Sequence, residues 1–198
     1  MMRCRSSKRH GFTLVELMLV ILVASIFAAI VVAQSDPSTQ THLYTTAQLV
    51  AADMARARSL AVTNNDAYRV TFDTANNWYY LEHSGTNAAL NTLPSTPFYT
   101  SQDTATRQYT LLASLPTGAG AVTLAAVGSN GSSPAPRTQV EFQTYGQTTQ
   151  TDETVIWLTA GTGTAQRWQY LRINPVTGLA TVETFQGTAP PSSIVTGS

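Results

Sequence analysis

Residues 12–33 form an apolar run of 22 residues, 14 of them Phe, Leu, Ile or Val, interrupted by a single charged side chain, Glu16. A helix of that length crosses the roughly 30 Å hydrocarbon core of a bilayer. At about −0.3 to −0.6 kcal/mol for each such residue, insertion gains roughly 4 to 8 kcal/mol, against roughly 2.5 to 3.5 kcal/mol for one carboxylate near the helix centre. Insertion wins, but the carboxylate remains costly, so it calls for a cationic partner and marks a functional residue. Arg3, Arg5, Lys8 and Arg9 precede the run with no acidic residue among them. That arrangement keeps the leader cytoplasmic and sends the chain beyond Ala33 outward.

A cut between Gly11 and Phe12 would create the cation, because the new amino group at Phe12 lies four residues, about one helical turn, from Glu16. Within one chain, or between neighbours, the two then neutralise each other. Gly11, Phe12, Thr13, Leu14 and Glu16 resemble the GFTLxE processing site of type IV pilins and type II secretion pseudopilins. In that family a prepilin peptidase cuts after the glycine and methylates the new terminus, and the glutamate pairs with the terminus of an adjacent subunit during assembly. The resemblance implies Gly11 as the cleavage residue, Phe12 as the N-methylated mature terminus and Glu16 as the assembly carboxylate. A secretory signal peptide cut after Ala33, with Val31 and Ala33 as its small-residue positions, competes with this reading. Its apolar region would run to about 20 residues rather than the usual 7 to 15, and would hold a glutamate. A plain membrane anchor leaves Gly11, Phe12 and Glu16 unrelated.

Removing the four basic leader residues from 11 leaves seven against 11 acidic ones, so the zero formal charge of the whole chain becomes about −4 in the mature form. No lysine follows Lys8, and a broadly basic nucleic-acid face is unsupported. The single cysteine, Cys4, lies in the leader and rules out a disulfide framework after cleavage. About 160 residues follow the apolar run, enough for one domain held by an ordinary core.

Ser35-Asp36-Pro37 predicts a kink or restart, since proline removes a backbone donor and biases its predecessor away from helix. Beyond it Leu43, Ala47, Val50, Met54, Ala57 and Ala61 recur at helical spacing, an amphipathic seam ending near Asn64-Asn65 that should hold the helix against a sheet. With both segments helical, the rod would be roughly 75 Å long, half of it membrane and half domain spine. Arg56 and Arg58 read as favourable charges at the helix C-terminus. Alternation over Tyr68, Val70 and Phe72, a turn over Asp73 to Asn77 and a return over Trp78 to Leu81 predict a β-hairpin. Further strands are expected at Gln108–Leu112, Ala121–Val127, Gln139–Phe142, Thr154–Thr159, Trp168–Asn174 and Leu179–Thr184, with loops over 84–103 and 128–137.

Ala57, Arg58, Ser59, Ala61 and Asn65 resemble the ARSxAxxxN segment of the GspH/FimT branch of minor pseudopilins and minor pilins. Phe142, Gly146, the strand Val155-Ile156-Trp157-Leu158, Leu171-Arg172-Ile173 and Thr177-Gly178 fit the outline of its closing hairpin. The proline common in many pilin helices is absent from Phe12 to Ala33. The resemblance implies an α+β pilin-like fold, a long N-terminal helix packed on an antiparallel β-rich domain. Its parts would be a cleaved leader (1–11), a transmembrane and filament-core helix (12–33), an amphipathic half (34–65) and a β-rich head (66–186); the Pro, Ser, Thr and Gly composition of 187–198 departs from the family outline and predicts a flexible tail.

No catalytic constellation stands out. His42 and His83 lack zinc spacing and read as surface histidines; Gly161 to Ala165 lacks the lysine of a phosphate loop and reads as a turn; Asp152-Glu153 lacks calcium-loop spacing and reads as a solvated turn. No cofactor or metal is expected, and the reading is of a structural protein rather than an enzyme. The implied partners are the prepilin peptidase, other pilins or pseudopilins in a filament, the membrane and the assembly platform of the machine. The implied location is the bacterial inner membrane, single-pass, with the leader cytoplasmic and the head periplasmic. Two functions compete: a minor pseudopilin of a type II secretion pseudopilus, and a minor type IV pilin serving pilus assembly or DNA uptake.

Overall fold

The computed structural model describes residues 14–33, 39–96, 100–115, 122–184 and 188–195; for 26–33 and Ala165 it describes the backbone alone. The chain divides into two compact units at Pro37 and Ser38. The first contains helix α1, Leu14–Ala33. The second contains helix α2, Thr39–Asn64, and eight strands: β1 Tyr68–Asp73, β2 Trp78–His83, β3 Arg107–Leu111, β4 Val122–Ser129, β5 Gln139–Phe142, β6 Thr154–Ala160, β7 Arg167–Ile173 and β8 Ala180–Val182. A helix followed by antiparallel sheets is the α+β architecture expected. The expected break at 35–37 lies outside the described residues.

The seam on α2 is where the second unit is organised. Leu43, Ala47, Val50, Met54, Ala57 and Ala61 are all fully buried, so every position picked out by helical spacing faces the core. α2 ends in a left-handed residue, Asn65 (φ 50°), with Asp66 N–H donating to the Ala61 carbonyl and Asn65 N–H to that of Val62. This is the paired bonding of a Schellman close, with asparagine in place of the more usual glycine.

The strands form two antiparallel four-stranded sheets, ordered β3-β2-β1-β5 and β4-β6-β7-β8. Tyr68, Val70 and Phe72 of β1 and Tyr79 and Leu81 of β2 turn inward beside the helix seam, joined by Ile156, Leu158, Leu171 and Ile173 from the second sheet. Every residue of β6 is buried, because this strand is covered on both faces. On its far side Val155 and Trp157 form a second cluster with Ala126 and Ile194. Ile194 is only 2 % exposed and follows Pro190-Pro191. Within the described part of the tail, 188–195, Ile194 is buried against the second sheet while most of the residues around it are exposed.

Sheet edges carry unpaired backbone groups and are closed by side chains or loops. Along β3, the Asp103 carboxylate accepts from Tyr109 N–H (2.6 Å) and Thr100 N–H (2.9 Å). Along β4, the Asn77 side chain substitutes for a strand: its amide donates to the Val122 carbonyl (3.1 Å) and its oxygen accepts from Leu124 N–H (2.8 Å). Asn77 sits in the β1–β2 turn at φ 58°, and its own carbonyl accepts from Leu112 N–H. One residue thus ties the first sheet to the edge of the second. Asn77→Ala removes two hydrogen bonds at about 1 kcal/mol each and places alanine in the left-handed region for about 1 kcal/mol more. The expected loss is about 3 kcal/mol, a fall in Tm of about 6 to 12 °C for a unit of this size. A Tm unchanged in thermal unfolding monitored by circular dichroism would refute the linking role.

Candidate functional site

Gly11 and Phe12 lie outside the described residues. Glu16 stands in the first turn of α1 and is exposed. The side chains around it are exposed on every side of the helix: Leu14, Val15, Leu17, Met18, Leu19, Val20, Ile21 and Leu22 are each more than half exposed. A helix apolar all round is stable only when covered by lipid or by other helices. Among the described residues no helix is long and apolar enough to cross a membrane.

Several of the residues that carry the second resemblance meet in one place. Arg58 reaches from α2 to the turn between β7 and β8, where its Nε donates to the Thr177 carbonyl at 2.7 Å. That turn is shaped by Asn174, whose side-chain oxygen accepts from the N–H groups of Val176 and Thr177 (2.9 and 3.0 Å). Gly178 (φ 64°) closes it, packed so tightly that a Cβ there would collide with the Gly146 carbonyl oxygen; a Cβ on Gly146 (φ 83°) would meet the Arg58 guanidinium. Thr148 N–H donates to the Pro175 carbonyl, and Phe142, bridged to Thr148, is fully buried. Arg58, Phe142, Gly146, Thr177 and Gly178 thus form a structural joint between the helix and two turns. The expectation that Arg56 and Arg58 sit at the helix terminus is corrected: α2 continues to Asn64 with no basic residue in its last turn, and Arg56 donates to the Pro94 carbonyl instead.

His83 is also corrected. Its side chain is 1 % exposed, with Nε2 3.1 Å from Asp66 Oδ2 and Nδ1 2.8 Å from Asn91 Oδ1, and its ring meets Tyr68 edge-on. Asp66, just past the close of α2, also accepts from the backbone N–H groups of Ala67, Thr86 and Asn87. These backbone donors, with Asn87 foremost, lower the Asp66 carboxyl from 3.8 to about 2. A carboxyl depressed in the folded state stabilises above its unfolded value, and that stability is lost as pH falls from about 4 through about 2. The wild-type Tm should drop across that interval, while Asp66→Asn should be less stable at pH 6 and flatter below pH 4. Parallel acid titration curves for the two proteins would contradict the role given to Asp66.

Gly163–Ala165 forms a short 3-10 turn between β6 and β7, as the turn reading expected. No cluster of metal-binding side chains occurs among the described residues. Asp53 of α2, half-buried, accepts from Tyr79 Oη (2.7 Å) and Thr110 Oγ1 (3.1 Å), and burial pushes the Tyr79 hydroxyl well up.

Residues 6–32 match the family model described as Prokaryotic N-terminal methylation motif. That motif marks the N-terminal segment as prepilin-like and points to membrane anchoring. No curated protein matches the chain. Two crystal structures of the type IV minor pilin FimU of Pseudomonas aeruginosa PAO1 are similar to it. The form in space group P21 is 14 % identical with a TM-score of 0.49, covering 75 % of this chain and 96 % of that one. The form in P65 is 14 % identical with a TM-score of 0.45, covering 74 % and 98 %.

Proposed function

We propose that the chain is a structural subunit of a pilin-like filament, a minor pseudopilin of a type II secretion pseudopilus. The prepilin peptidase cuts between Gly11 and Phe12 and methylates Phe12. Residues 12–33 hold the precursor in the inner membrane with the leader cytoplasmic and the head outside, and then move laterally into the filament core. There each Glu16 pairs with the Phe12 amine of a neighbour, and the β-rich unit decorates the filament. The N-terminal motif over 6–32, with Glu16 on an all-round apolar α1, carries this reading.

A DNA-capturing minor pilin is the other reading, and the arginines speak against it. Phosphate capture needs an excess of exposed positive charge, and the seven arginines of the mature chain stand against 11 acidic residues. Arg56, Arg58, Arg137 and Arg167 are bound to backbone carbonyls, and Arg69, Arg107 and Arg172 to carboxylates of the same chain. Deleting the gene should abolish release of exported proteins into the medium while leaving surface pili intact, with rescue by the wild-type gene. Loss of pili or of DNA uptake with secretion unchanged would move the protein to a type IV pilus.

A further inference from the structure

The face of the first sheet that turns away from α2 is ordered in rows. Across the strands, Glu141 of β5, Arg69 of β1, Glu82 of β2 and Arg107 of β3 stand side by side, alternating in sign. They are paired: Arg69 with Glu141 at 2.7 Å and with Glu82 at 3.8 Å, Arg107 with Glu82 at 2.9 Å. The next rows place Tyr80 opposite Tyr109 and Trp78 opposite Leu111. Trp78, Tyr80 and Tyr109 are half-buried and touch one another, with ring centroids 5.2 to 5.7 Å apart. The Arg107 guanidinium lies 4.8 Å above the Tyr80 ring. Beside Tyr109 the surface sinks into an open recess of about 450 Å³ lined by Glu82, Asn91, Thr104, Thr106 and Arg107.

We propose that this face is a carbohydrate-binding surface, taking a neutral polysaccharide segment with sugar rings against Trp78, Tyr80 and Tyr109 and hydroxyls directed into the recess. The aromatic rings offer apolar area with a weakly negative face suited to C–H groups. The recess supplies an amide, two hydroxyls, a carboxylate and a guanidinium. Arg107 binds Glu82 through Nε, which leaves further donors of its planar fork for ligand oxygens. Charge selects the class of ligand. The alternating row cancels itself, so it draws neither a polyanion nor a polycation, while a neutral, hydroxyl-rich chain needs no net charge. This assignment does not depend on which filament the protein joins.

The test uses the full processed chain in a zwitterionic detergent, since glycoside detergents carry sugar headgroups. Cellohexaose and chitohexaose are titrated by isothermal calorimetry and by tryptophan fluorescence, with an oligothymidylate as competitor. Saturable binding of at least one hexasaccharide is expected, weakened about tenfold or more in Trp78→Ala and Tyr109→Ala, since aromatic anchors dominate such contacts. Thr106→Trp, at an exposed position on the recess wall, is expected to block binding with Tm unchanged, which keeps the test valid if the aromatic variants unfold. Absence of binding by both sugars overturns the proposal, as does binding unaffected by Thr106→Trp. Salt-sensitive binding of the oligothymidylate in their place overturns it in favour of nucleic acid, and self-association that Tyr109→Ala abolishes, without sugar binding, in favour of a subunit contact.

Discussion

Glu16→Ala is expected to leave cleavage after Gly11 intact and to reduce incorporation into filaments about a hundredfold or more. Cleavage depends on residues read in the membrane-bound precursor, and alanine at 16 only makes the helix more apolar. Assembly differs. In the proposed core of packed apolar helices the Phe12 amine would be a buried charge, and removing its partner would cost about 3 to 5 kcal/mol, about two to nearly four orders of magnitude in an association constant. Glu16→Gln separates charge from shape: it keeps the size and the hydrogen-bonding carbonyl of the side chain, yet should fail nearly as badly. Leu17→Ala, which removes apolar area from the exposed surface of the same helix, should lower incorporation only severalfold. Filament fractions compared with membrane fractions by immunoblot measure all three. Normal incorporation of Glu16→Ala and Glu16→Gln would end the assembly role.

Gly178→Ala is expected to be the most damaging single methyl in the β-rich unit. The residue sits at φ 64°, where a Cβ costs about 1 to 2 kcal/mol, and that Cβ points into the Gly146 carbonyl oxygen, so one of two turns must move at about 1 to 3 kcal/mol. A loss of about 3 kcal/mol lowers Tm by about 6 to 12 °C. Any shift of the turn also separates Thr177 from Arg58 and loosens the joint between helix and sheet. Val176→Ala, at an exposed position of the same turn, should change stability by less than about 0.5 kcal/mol. Equal Tm values for the two variants would mean that the close approach at Gly178 is relaxed in solution.

Local signals carried much of this fold. The α2 seam was legible because burial on one face of a helix imposes a period that a sequence shows directly. The β1–β2 hairpin and β5 were legible for the same reason, through alternation and the Asp73 to Asn77 turn. What stayed hidden depended on partners distant in sequence. Nothing near Asn77 predicts that its side chain will complete the edge of β4, 45 residues on, and nothing near Arg58 points to Thr177, 119 residues away. His83 looked like a surface histidine because its burial follows from Asp66, which the close of α2 brings beside the end of β2. Ile194 was lost in a compositional reading that averaged one anchor with its polar neighbours. The division into two sheets was equally illegible, since adjacent strands in sequence, β3 and β4, belong to different ones. At the N-terminus the balance is reversed: Gly11, Phe12 and Glu16 are read from sequence, and the structure contributes the apolar surface around Glu16.

Intact-mass and N-terminal fragment analysis of the chain purified from membranes that contain the prepilin peptidase addresses the central claim most directly. The account predicts a mature chain beginning at Phe12 with a methylated amino group, and full-length precursor when the peptidase is absent. A mature chain beginning at Gln34, or an unprocessed chain in the presence of the peptidase, would contradict it.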